Sequence, residues 1–317
     1  MLTKKDLSVA HTAYFCSTGA RLALPHPSPS DIYQASKIIG NSSLKSFEKA
    51  AKGTNSALIQ ATQTIPWLNN TPWFNGNMSN ISLNPFNLNL GKLAYEHGII
   101  QQNQTSVINP FDAFHLSMHF QYLTQTIDFE DSLTEWSKPF ESSKKKVDTL
   151  FQSIERNSTG FEIQELSINY DADQHNTLHF NSLKEAIGDE LKAQLNQIES
   201  DKCLAILLKK EPCLNKRMNL RYIVILQKDY IDEPSGFTDP SFLQSIKNTV
   251  ESNSCYYFNY DSGCLNGFLA NNRFSKKIPN YRERIRCLKS YLIGTDALYR
   301  VDGLQTSLEI LYSKFVK

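Results

Sequence analysis

The chain has 317 residues, of which 40% are hydrophobic and 21% charged, and its formal net charge is +1. These are ordinary values for a soluble protein, with length enough for two domains and ample core burial, and no apolar run is long enough for a membrane span. Six cysteines are scattered with no C-x-x-C pair, so reduced thiols are expected rather than a metal cluster.

The near-neutral total hides an asymmetry. Residues 101–200 hold 7 basic and 16 acidic side chains, net −9, whereas residues 201–300 hold 16 and 10, net +6. Residues 271–300 alone hold 8 and 2, again net +6. The basic stretch is expected to attract a polyanion, and the acidic stretch to offer a surface to a protein partner.

In chain order, Lys4 and Lys5 are followed by no apolar run of signal-peptide length, so a cytoplasmic protein is expected. Residues 1 to about 60 read as helical: Ile32, Ala35, Ile38, Ile39, Leu44 and Phe47 fall at spacings that suit one helical face, behind a start signal at Ser28-Pro29-Ser30-Asp31. Residues 64–89 are dense in Asn, Pro and aromatics and read as loop, either a recognition loop or one anchored to a core by its aromatics. Helical text resumes at Leu90, reopens at Asn109-Pro110, and a further helix is expected over 140–154. Residues 1–156 thus form a mostly helical N-terminal domain.

Residues 161–170 alternate as a half-buried strand, with a slip at Glu165-Leu166 that predicts a bulge. A helix over 182–198 follows, opened by the capping box Ser182…Glu185. Two apolar runs, 203–208 and 220–226, flank a basic connector at 209–217 and form a hairpin, the second being the most strand-like run in the chain. Asp239-Pro240 opens another helix to Val250, and residues 255–260 make a last strand. The order β-α-β-β-α-β predicts an α+β protein in which residues 157–317 form a ferredoxin-like domain, two helices on one face of an antiparallel sheet and the other face open.

Several chemistries lack their motifs. There is no phosphate-binding glycine loop and no G-x-S-x-G elbow, so nucleotide and serine hydrolysis are not expected. His115 and His119 are spaced as zinc ligands on a helix, but Leu116 stands where that motif needs its general base, and a packed or surface pair is expected. His175 and His179 flank a turn and are read the same way. No cofactor or metal is assigned. The specific feature is the basic C-terminal region: Arg273, Lys276, Lys277, Arg282, Arg284, Arg286 and Lys289 surround Tyr281, Tyr291 and Tyr299, on a helix predicted over 281–293. Together with Arg217 and Arg221 these cations are the candidate nucleic-acid contacts, with DNA favoured over RNA.

Residues 145–308 resemble the filamentous-phage (inovirus) gene-two-like family, also known by the YagK/YfjJ C-terminal domain. The resemblance rests on the strand and helix at 161–198, on Val224-Ile225-Leu226-Gln227-Lys228-Asp229-Tyr230, and on Ser290-Tyr291-Leu292-Ile293-Gly294-Thr295-Asp296-Ala297. It implies a prophage or mobile-element protein related to replication initiators, which nick DNA with a tyrosine beside a metal held by a His-hydrophobe-His pair. Here the corresponding strand carries Leu220, Tyr222 and Val224 on one face and Arg221, Ile223 and Ile225 on the other, no histidine follows His179, and Gly294 replaces an expected lysine. Tyr291 and Tyr299 remain as candidate nucleophiles. The expectation is a nucleic-acid-binding protein deficient in nicking. Two alternatives stay open: an active tyrosine endonuclease with ligands such as Asp171 and Asp173, or an RNA-binding subunit of the ferredoxin-like kind found in CRISPR-type complexes.

Overall fold

The computed structural model describes residues 29–70, 81–98, 110–171, 185–189, 193, 203–212, 217–227, 248, 257–259, 273–301 and 303–315. Helix α1 spans Pro29–Gly40, α2 Leu44–Ala51 and α3 Ser56–Thr62, followed by a 3-10 turn at Ile65–Asn70. Strand β1 is Ile81–Leu83, α4 Pro85–Glu96, α5 Pro110–Leu123 and α6 Ile127–Asn157. Local chemistry sets the helix starts. Ser43 accepts from the Ser46 amide (3.3 Å), Asn55 from that of Leu58 (3.3 Å) and Thr126 from that of Phe129 (3.3 Å), each satisfying an orphan donor. Asn84 does the same for Phe86 (2.9 Å) with Pro85 at the first helical position, so helix begins inside the stretch expected to be loop, before Leu90.

Ile32, Ile39, Phe47, Leu58, Phe86, Leu90 and Phe120 fill the first core. Helix α6 leaves that core at Phe129 and enters a second at Phe140, and its 31 residues span about 46 Å at the standard rise. It starts well before the expected residue 140 and runs through Pro139, because burial on both sides of the proline outweighs one lost backbone hydrogen bond.

Strands β2 (Gly160–Asp171), β3 (Cys203–Pro212), β4 (Arg217–Gln227), β5 (Tyr257–Asn259) and β6 (Arg273–Ser275) precede helix α7 (Tyr281–Gly294), a 3-10 turn at Thr295–Ala297, β7 (Tyr299–Val301) and β8 (Leu308–Ser313). The large sheet is antiparallel in the order β5-β2-β4-β3-β8, with β6 also on β2. Placing β4 between β2 and β3, and β5 outside β2, is the ferredoxin-like arrangement that the β-α-β-β-α-β order requires. Residues 185–189 are helical with Ile187 fully buried; Ser182 and, apart from Asn248, the helix expected at 239–250 lie outside the described residues. A small second sheet pairs β1 with β7, Ile81 opposite Val301, and ties the helical layer to the C-terminal end.

Two expectations need correction. The β2–β4 register runs unbroken from Phe161↔Gln227 to Asp171↔Arg217, so the predicted bulge is absent. Glu165 breaks the apolar alternation because it is an inward carboxylate, 2% exposed and 3.4 Å from Arg221. The second correction concerns the sheet face expected to be open. Phe161, Ile163, Leu207, Ile223 and Ile225 lie on it, and Val147, Leu150, Phe151 and Ile154 of α6 with Ile285, Leu288 and Leu292 of α7 cover it. An apolar face of that size is not left in water.

Candidate nucleic-acid interface

Beneath α7 the covered face turns from apolar to ionic. β3 extends past Leu208, so Lys209 and Glu211, expected in an exposed connector, are inward strand residues at 0% and 1% exposure. Lys209 Nζ lies 3.2 Å from Glu211 Oε1 and 3.9 Å above the Tyr291 ring centroid, and donates to the Tyr291 carbonyl. Arg221, opposite Lys209 on β4, places Nε 3.3 Å from Glu211 Oε2 and Nη1 3.4 Å from Glu165 Oε2. Asp296, also fully buried, accepts from the Ser307 amide (3.0 Å), and Arg300 stacks over Trp136 at 4.1 Å. Three cations and three carboxylates therefore share one buried region. Burial pushes the Asp296 carboxyl up, against the pull of Ser307, Arg300 and Lys209, and pushes the Lys209 ammonium down, against Glu211 and Asp296. Such a balanced set is tolerated in a core, whereas any one member alone is not.

This cluster changes the standing of three predicted site residues. Arg221 is fully buried on two carboxylates and meets no phosphate. Tyr291 and Tyr299 are 0% and 1% exposed and belong to different cores, Tyr291 under the sheet and Tyr299 among the N-terminal helices. Neither hydroxyl has the access that attack on a polynucleotide needs. Arg217 opens β4 opposite Asp171, and Asp173, His175 and His179 lie outside the described residues.

The other predicted cations fall on one surface, built by β6, the turn after it and the start of α7. Gly160 lets β6 approach β2: a Cβ there would sit 2.8 Å from the Phe274 carbonyl oxygen. Phe274 stacks on Phe161 (4.8 Å, 8° between planes), and Arg284 lies 4.7 Å over Phe274, so Arg284 is half spent on packing. Lys289 is likewise partly buried, 2.9 Å from Asp148. Arg273, Lys276, Lys277, Arg282 and Arg286 are exposed. Arg273 lies 3.5 Å from Glu162, Lys276 donates to the Glu155 carbonyl, and Arg286 lies 2.8 Å from Glu283. The Arg286–Glu283 pair is exposed on both sides, and such a pair holds a side chain by no more than about 1 kcal/mol and releases it readily to a stronger anion.

Helix α7 also begins in an unusual way. Its N-cap, Asn280, has φ 62° and no side-chain capping hydrogen bond, and no cation lies in the last turn. Helix stability favours acids at an N-terminus and bases at a C-terminus. Here Glu283 in the first turn follows that preference and holds Arg286, whereas Lys277 and Arg282 stand beside N-terminal amides that favour an anion, and Lys276 reaches across to the last turn of α6. The sequence showed the cations; the missing cap and the loss of Arg284 and Lys289 to packing were not legible in it.

Other candidates do not assemble. His115 packs on Phe111 (ring centroids 4.4 Å apart) and not on His119. No group of three or more His, Cys, Asp or Glu side chains converges as a metal site among the described residues, and no helix among them is long and apolar enough to cross a membrane. The chain matches no protein-family model, no curated protein and no solved structure.

Proposed function

We propose that this protein binds nucleic acid, DNA in preference to RNA, by seating phosphates at the N-terminal end of α7 among Lys276, Lys277, Arg282 and Arg286. It acts as a replication-initiator-like protein of a prophage or mobile element that holds DNA without nicking it. The observation that carries this reading is the exposed cation cluster around a helix start with no side-chain cap, whose backbone amides favour an anion. Contacts of this kind read the backbone, not the base sequence, because the sheet face that would stack bases lies under α6 and α7. The burial of Tyr291 and Tyr299 supports the absence of nicking.

The test is binding of labelled single-stranded DNA, duplex DNA and RNA across a salt series. The reading predicts binding to DNA that weakens steeply with salt, as counterions released by phosphate contacts require, and no covalent protein–DNA adduct. Binding must survive Tyr291→Phe. Failure to bind any of the three polymers, or binding that salt does not weaken, overturns the reading.

A further inference from the structure

The turn after α4 and the middle of α5 bring together two histidines far apart in sequence. His97, the C-cap of α4, and His119 of α5 are both exposed, and Nε2 of His97 lies 3.4 Å from Nδ1 of His119 with the ring planes at 76°. That separation lies at the long end of the hydrogen-bond range. It matches the edge of a tetrahedron of nitrogen ligands, about 3.4 Å when each lies 2.0–2.1 Å from the metal. Both rings are exposed, so they can turn their lone pairs from each other toward a shared ion.

We infer that His97 and His119 form a two-nitrogen chelate for a borderline divalent transition metal such as Zn2+, Cu2+ or Ni2+. Imidazole suits these ions over Mg2+ or Ca2+. The described residues supply no third acidic, cysteine or histidine ligand, so water fills the remaining positions. The bound ion clips the end of α4 to α5, and because it binds the folded chain it stabilises the helical layer. This differs from the helical His-x-x-x-His reading of His115 and His119: the partner of His119 comes from another helix, while His115 is engaged with Phe111.

The experiment is a calorimetric titration of the full chain with Zn2+ and Cu2+, paired with melting curves, for wild type, His97→Ala, His119→Ala and His115→Ala. Each ring is exposed, so the variants are expected to fold as wild type does. The inference predicts a site at least about tenfold weaker, about 1.4 kcal/mol, in His97→Ala and in His119→Ala, and unchanged in His115→Ala. The metal-dependent rise in melting temperature should vanish in the first two variants. Copper bound to wild type should show two nitrogen couplings by electron paramagnetic resonance. No binding, or binding and stabilisation that persist in both variants, refutes the chelate.

Discussion

The cations on the covered sheet face and those at the start of α7 are alike in sequence and opposite in role. Lys209 and Arg221 are fully buried among Glu165, Glu211 and Asp296. Lys277, Arg282 and Arg286 are exposed beside an N-terminus with no side-chain cap. In the first set each charge is held by carboxylates that water cannot replace, so loss of one member strands the others. In the second set water and salt already screen the charges, so loss of one costs the fold little and costs an anionic ligand much. The residue type is therefore a poor guide to nucleic-acid contact, and burial with a counter-charge decides it.

The largest effect is expected where the buried set is broken. Arg221→Met keeps much of the side-chain volume but leaves Glu165 and Glu211 without the guanidinium, and should cost about 3–5 kcal/mol by urea unfolding. A cost below about 1 kcal/mol would show that the two carboxylates are not held by Arg221 and would break the comparison. A smaller effect is expected where the surface set is anchored. Gly160→Ala forces β6 away from β2 and should destabilise by about 1–3 kcal/mol, with weaker DNA binding because the surface shifts with it. Unchanged stability would mean that β6 can move freely without consequence.

A change in slope rather than in size is expected at Asp296. Its carboxyl is raised by burial above the ordinary value of 3.8, so the folded chain holds the proton more readily than the unfolded one. The stability it contributes is present below that value and is lost as pH rises through the folded one. Asp296→Asn removes the titration and keeps an acceptor for Ser307. Unfolding free energies measured over a pH series should show the variant gaining on wild type as pH rises, and a difference that stays flat would remove Asp296 from the buried set. The smallest effect concerns accessibility. Burial pushes the Cys203 thiol up to about 12, whereas Cys287 is partly exposed. Mass spectrometry after brief alkylation of the folded protein should find Cys287 modified and Cys203 intact, and the reverse order would place the start of β3 in solvent.

Much of the fold was legible. The β-branched run at 220–226 reads as a strand from composition alone, and the β-α-β-β-α-β order leads to the observed strand neighbours. The helix start at Pro110 is signalled by proline, whereas the Ser28-Pro29-Ser30-Asp31 signal read as a cap for a helix from near Ile32 lies at a helix that already begins at Pro29. What stayed hidden depends on tertiary partners. Pro139 reads as a stop, yet two cores hold α6 continuous across it. Lys209, Glu211 and Glu165 read as surface or as irregularity, because nothing local in a sequence announces a counter-ion 10 or 56 residues away, as Arg221 is from Glu211 and Glu165. β1 is three residues long and forms only against β7, so it carries no pattern of its own. For the candidate interface the same rule holds: the cluster of bases was visible, but which of them face water was not.

The most direct measurement takes DNA affinity and urea unfolding together on wild type and on a Lys277→Ala/Arg282→Ala/Arg286→Ala variant. The account predicts affinity lower by at least about tenfold, a shallower salt dependence, and a stability within about 0.5 kcal/mol of wild type. A variant that binds DNA as wild type does, while its stability is unchanged, would contradict it.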